Sequence, residues 1–123
     1  MALSISTLPG QISASRAEET DGTSTVNAIG SGTLYLDQVS IDNTGNANDP
    51  VYLKMYDTGA TGSTGSTVPD FIFPCAAGEI IQLSFEPGGR FTNGMQVAVV
   101  LEPGTAGTTS PTNNVSYSLL YHA

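Results

Sequence analysis

Apolar side chains in this chain do not recur at helical spacing over any window of about 11 residues; they alternate with polar ones in short runs, each broken by Gly, Pro or Asn. A chain punctuated in this way buries its apolar surface by stacking strands into layers, because it has no amphipathic helix to lay on a sheet. Val39 and Ile41 alternate with Gln38, Ser40 and Asp42, whereas Leu34 and Leu36 fall out of phase with them. That strand either changes faces at a bulge or is buried on both sides early. Val51, Leu53 and Met55 share one face of a second run, and Tyr52, Lys54 and Tyr56 the other. Asp70 to Phe73, bracketed by Pro69 and Pro74, suits a sheet edge or a place beside a bend. Ile81, Leu83 and Phe85 form another face, and Val115, Tyr117 and Leu119 a last one. Gln96 to Leu101 is the most apolar run and reads as a central strand covered on both sides. Asn93-Gly94 marks a turn. The expected fold is all-β: an antiparallel β-sandwich, with an eight-stranded jelly roll favoured. An immunoglobulin-like sandwich is the alternative, although the chain has no Trp and Cys75 has no partner.

Residues 1–31 have a different texture. Leu3, Ile5, Leu8 and Ile12 stand apart from one another, and Thr20 to Val26 holds a single apolar side chain. This pattern suggests an extended N-terminal arm (1–31), with or without one strand, followed by a β-sandwich domain (32–123). About 30 extended residues reach on the order of 100 Å, enough to cross a neighbouring subunit. Leu3, Ile5, Leu8, Ile12 and Arg16 are therefore candidate partner contacts.

Charge narrows the function. Three basic residues stand against 11 acidic ones, for a net charge of -8, which phosphate backbones would repel; no nucleic-acid partner is expected. The longest apolar stretch, Val97 to Leu101, is too short to span a membrane, and none is expected as a partner. The N-terminal residues show no basic, apolar leader, which suggests synthesis and folding in a reducing cytoplasm.

Catalytic groups are sparse. A thiol enzyme would need Cys75 beside His122, the penultimate residue, and Cys75 sits among apolar neighbours. Glu79 and Glu86 point to opposite faces of one strand, a poor start for a glycosidase pair. No enzyme and no cofactor are expected. Asp42, Asn43, Asn46, Asn48 and Asp49 crowd one loop with hard oxygen atoms, so a calcium ion near Asp42 and Asp49 is a weaker alternative to Asx turns. Lys54 lies on the outward face of its strand, and Arg90 could pair with Glu86 or with another subunit.

Several segments carry a family likeness. Val39-Ser40-Ile41-Asp42-Asn43-Thr44 ends a strand in an Asn-rich loop, followed by Val51-Tyr52-Leu53-Lys54-Met55-Tyr56-Asp57, then Pro69 and Ala77-Gly78. Phe85-Glu86-Pro87-Gly88-Gly89-Arg90-Phe91 leads into Asn93-Gly94-Met95-Gln96-Val97-Ala98. Across residues 32–121 this resembles small β-sandwich structural proteins of tailed bacteriophages, especially cyanobacterial and marine phages. The resemblance implies a virion protein: a capsid decoration (cement) protein, trimeric, bound to the major capsid protein on the capsid surface. Tail, baseplate or fibre accessories share the likeness. Host-glycan binding through the Tyr52/Tyr56 face or the Thr58 to Thr67 loop is a further alternative.

Overall fold

The computed structural model describes residues 2–7, 14–60 and 62–123. Among them lie nine strands and no helix: β1 (Leu3–Thr7), β2 (Ala14–Glu19), β3 (Asn27–Ser31), β4 (Leu34–Asp42), β5 (Val51–Asp57), β6 (Phe71–Cys75), β7 (Ile80–Phe91), β8 (Gly94–Val100) and β9 (Ser116–His122). They form two antiparallel sheets, ordered β1-β2-β9-β4-β7 and β3-β8-β5-β6. The expected sandwich is present. Its pairing is nested: β2 with β9, β3 with β8, β4 with β7 and β5 with β6. The chain therefore wraps as one long folded-over hairpin, and most of its connections pass from one sheet to the other.

The division at residue 31 is corrected. Residues 14–31 are sandwich, not arm: β2 pairs with β9, β3 pairs with β8, and Ala17 and Ile29 belong to the core. Their short polar texture concealed strands that take their partners from residues 94–122, far along the chain. Only β1, an edge strand paired to β2 alone, lies outside the nested set. Leu8 and Ile12 fall outside the described residues.

The out-of-phase leucines of β4 are settled by a bulge. Leu36 faces Tyr121 and Gln38 faces Leu120, so Asp37 has no counterpart on β9. This one extra residue returns Leu34 and Leu36 to the face used by Val39 and Ile41, and all four are buried. On the other side Leu36 faces Gly89 while Gln38 faces Ser84, so residues 85–88 of β7 bow outward beside Asp37. Gly88 permits the bow: its φ is +122°, and an added Cβ would lie 3.2 Å from Asp37 Oδ1. β8 is central and buried at every residue, and β6 with its Pro74 is an edge strand, both as expected.

The core fills the space between the sheets with Leu36, Ile41 and Leu119 from one side and Leu53, Met55 and Val97 from the other. Phe71 meets Phe91 at 5.2 Å and Phe73 meets Phe85 at 5.6 Å, closing the β6/β7 side. The opposite side is closed by a buried polar cluster. Glu19, fully buried, accepts hydrogen bonds from the Ala2 N–H and from Asn27 Nδ2 (3.1 Å), which also donates to the Tyr117 hydroxyl (3.2 Å). Burial, and then the Glu19 charge, push the Tyr117 hydroxyl far above its usual range despite the Asn27 bond.

Two-residue crossings at one end carry the chain between sheets. Gly32-Thr33 joins β3 to β4 and Thr92-Asn93 joins β7 to β8, so the Asn-Gly signal marks a change of sheet, not a hairpin. Gly32 N–H donates to Asn93 O (3.2 Å), tying the crossings together. Asp57 clamps the second, accepting from the N–H groups of Thr92 (3.0 Å) and Asn93 (2.7 Å). Gly94, at φ +151°, sits where a Cβ would lie 2.7 Å from Thr58 O and 3.0 Å from Gly30 O.

This end of the molecule can be tested at two positions. Gly94→Ala should cost roughly 1–3 kcal/mol or more by urea unfolding, from backbone strain plus the clash. Gly104→Ala, whose added Cβ meets nothing within 4 Å, should stay within about 0.5 kcal/mol. Burial pushes the Asp57 carboxyl up, but the N–H groups of Thr92, Asn93 and Gly94 and the charge of Arg90 outweigh it and hold the pKa below the ordinary Asp value. Its stabilising contribution is then complete above the unfolded-state pKa and lost as pH falls through the lower folded value. Asp57→Asn should be about 1 kcal/mol less stable than the parent at pH 7, with the gap closing as pH falls below the ordinary Asp range. A gap that widens in acid would contradict the clamp.

Candidate functional site

The two outer faces of the sandwich differ. On the four-stranded sheet, β5 turns Tyr52, Lys54 and Tyr56 outward against Val100, Ala98 and Gln96 of β8. These residues do not meet solvent as a platform: Lys54 and Tyr56 are 0% and 1% exposed. The small-residue loops fold over them. Gln96 accepts from Gly62 N–H (2.9 Å) and donates to Ala60 O (2.8 Å), while Lys54 Nζ donates to Gly104 O. The loops are tied in turn to the β2–β3 connection, through Thr64 Oγ1 to Ser24 O and Ser24 N–H to Ser110 Oγ. Desolvation lowers the Lys54 pKa, and the Glu102 charge opposes that effect. Of the two tyrosines that offered an alternative glycan platform, Tyr56 is buried.

Among the described residues no loop is tied in the same way over the outer face of the five-stranded sheet. That face presents Arg16 and Glu18 from β2, then Ser116, Ser118, Leu120 and His122 from β9. β4 adds Tyr35, Gln38, Ser40 and Asp42, and Ile80, Gln82, Ser84 and Arg90 come from β7. At one end Arg16, Glu18, Ser40, Asp42, Ile80 and Ser118 line a shallow depression of about 260 Å³. Arg16 lies 3.5 Å from Glu18. At the other end Tyr35 stacks on His122 (ring centres 5.0 Å apart), and His122 Nδ1 lies 2.7 Å from Asp37 Oδ2.

The residues that the sequence singles out scatter over this frame. Arg16 and Arg90 share the bare face three strands apart, about 14 Å at ordinary strand spacing. Leu3 packs on the core from β1, and Ile5 beside it is 49% exposed at the sheet edge. Among the described residues no ion pair joins Arg90 to Glu86; the Arg90 charge acts on Asp57. Of the three basic residues, then, the two arginines lie on the bare face and Lys54 is sealed beneath the opposite one. Register alone places the arginines together, a fact that no local pattern carries.

Cys75 is buried and its Sγ lies 3.3 Å from Glu79 O; desolvation first, then nearby carboxylates, raise its pKa against two backbone hydrogen bonds. Such a thiol is inert at neutral pH. It sits by the Asp42 end of β4 while His122 sits by the Tyr35 end, about 20 Å along the strand. In the Asn-rich loop the polar atoms hold the loop itself: Asn43 Nδ2 donates to Asp49 O and Ala76 O, Asn46 Nδ2 donates to Asn43 Oδ1, and Asn46 Oδ1 accepts from Asn113 N–H. Asp42 accepts from Thr44 through both hydroxyl and N–H, which lowers its pKa. Among the described residues no three His, Cys, Asp or Glu side chains cluster as metal ligands, and no helix is long and apolar enough to cross a membrane.

No protein-family model matches the chain, and no curated protein matches it. Weak structural neighbours exist. One is described as "CBM4 structure and function", 12% identical with a TM-score of 0.35, covering 94% of this chain and 73% of the other. Another is described as "Cyanophage Pam1 capsid asymmetric unit", 16% identical with a TM-score of 0.33, covering 93% and 89%. Likenesses this distant carry no argument about function.

The loop cover generates its own test. Lys54→Met keeps the buried stem and removes a desolvated charge, so the unfolding midpoint should stay the same or rise. Amides of residues 103–109 should then exchange with deuterium several-fold faster, because their anchor on the sheet is gone. A loss of about 3 kcal/mol or more would mean that Lys54 holds the core itself.

Proposed function

We propose that this chain is a jelly-roll virion structural protein that decorates the phage capsid and works by binding, without chemistry of its own. The nested β2–β9 pairing of eight strands in two sheets supports the jelly-roll reading. The virion reading rests on the resemblance of residues 32–121 to small phage structural proteins. The observation that carries the mode of binding is the asymmetry of the sandwich: one face is dressed by its own loops, and the other is bare and holds both arginines. In a chain of net charge -8, these are the groups able to meet an acidic patch on another subunit. The partner in this reading is the major capsid protein. Ser4 and Ser6 of β1, in register with Glu18 and Arg16, extend the contact. The dressed face, turned outward, keeps the particle surface hydrophilic and negatively charged, which opposes clumping.

The test is an occupancy map of purified virions by cryo-electron microscopy. Density of about 13 kDa per copy is expected outside the shell, with the five-stranded sheet turned toward it. Particles assembled with Arg16→Glu or Arg90→Glu protein should lose about tenfold in apparent affinity each, equivalent to about 1.4 kcal/mol. Density confined to the tail would favour the accessory role, and absence from particles would overturn the virion reading.

A further inference from the structure

β7 leaves one edge of the five-stranded sheet open, and the first part of that edge is built to pair with itself. Asn43 N–H donates to Glu79 O (2.9 Å) across the β4/β7 pair. In an antiparallel ladder the hydrogen-bonding groups alternate sides, so residues 79, 81 and 83 bond to β4 and the N–H and C=O groups of Ile80, Gln82 and Ser84 turn to the open side. All three residues are exposed, Ile80 at 62%, and Leu83 between them is 39% exposed although its register partner Val39 is fully buried. Such an edge usually carries a charge or a proline as protection. Residues 80–84 carry neither; Glu79, Glu86 and Pro87 stand outside them.

We propose that β7 pairs with β7 of a second copy of this chain, antiparallel, about a two-fold axis through Gln82. With the axis there, Ile80 faces Ser84 of the other copy and Gln82 faces Gln82, so each open N–H meets an open C=O. On the inner face Ile81 meets Leu83 of the other copy, which covers the exposed leucine and continues the core across the junction. Glu79 comes opposite Phe85, so carboxylate does not face carboxylate, although each chain is strongly acidic. The bow at residues 85–88 ends the ladder, leaving about five residues a side. A contact this short is weak between free molecules and gains strength when copies are held side by side on a surface. Two-fold pairing closes on two chains, unlike the trimer that the family resemblance implies, and it does not depend on the virion reading.

Cross-linking of the full chain tests the register. Gln82→Cys puts two thiols on the axis at a Cα separation of about 5.5 Å, within disulfide range. Ser84→Cys puts them about 13 Å apart. With oxidised glutathione as oxidant, Gln82→Cys should give a covalent dimer at least about tenfold faster than Ser84→Cys, while buried Cys75 stays silent. Equal rates, or no dimer from either, would overturn the pairing. A second measurement is independent of thiols. In sedimentation the parent should dimerise with rising concentration, and more readily in salt, which screens like charge. Gln82→Pro removes only an N–H on the open side, so it should stay monomeric with an unchanged unfolding midpoint. A Gln82→Pro dimer, or a parent mass of three chains, would count against the two-fold edge.

Discussion

One extra residue in β4 holds the molecule together. β4 lies between β9 and β7, and its first half is out of phase with its second. Without the bulge at Asp37, either Leu34 and Leu36 or Val39 and Ile41 would face solvent, at a cost of about 1.5–3 kcal/mol for each large side chain. With it, all four line the core. The same residue turns its carboxylate to His122 on the outer face and forces β7 to bow, so one local irregularity shapes both neighbouring strands. The bow in turn divides β7, confining its regular open edge to residues 80–84.

The crossings at the nearby end impose a second constraint. Two residues suffice to carry the chain from sheet to sheet only where backbones approach closely, and Gly94 and the Asp57 clamp meet that need with an absent side chain and a charged acceptor. The polar cluster of Glu19, Asn27 and Tyr117 closes one side of the sandwich and the Phe71–Phe91 and Phe73–Phe85 contacts the other. The two sides use opposite chemistry for the same purpose. Hydrogen bonds satisfy a buried carboxylate on one, and ring packing excludes water on the other.

Function, in this view, follows from unequal faces. Low-complexity loops that look like spacers in the sequence serve as a lid on the four-stranded sheet, reaching it through Gln96 and Lys54. Among the described residues no equivalent loop is tied over the five-stranded sheet, and in the proposed reading its outer face with two arginines meets the partner.

Much of this fold was legible in the chain. Period-two alternation marked β4, β5, β7 and β9, because a side chain's face in a strand is a local property of spacing, and short apolar runs marked β6 and β8. The Gly, Pro and Asn breaks located the loops, and the phase slip between Leu36 and Val39 left a bulge as one of two readings. β2 and β3 escaped because Ala14–Glu19 and Asn27–Ser31 carry too few apolar residues to show a pattern; they become strands through hydrogen bonds to β9 and β8. The candidate site divided the same way. Arg16 and Arg90 stood out as scarce cations, but only register, which joins strands from opposite ends of the chain, places them on one face. Burial of Tyr56 and Lys54 was decided by loops folding over their sheet, since whether an outward side chain meets water depends on what the rest of the chain lays upon it.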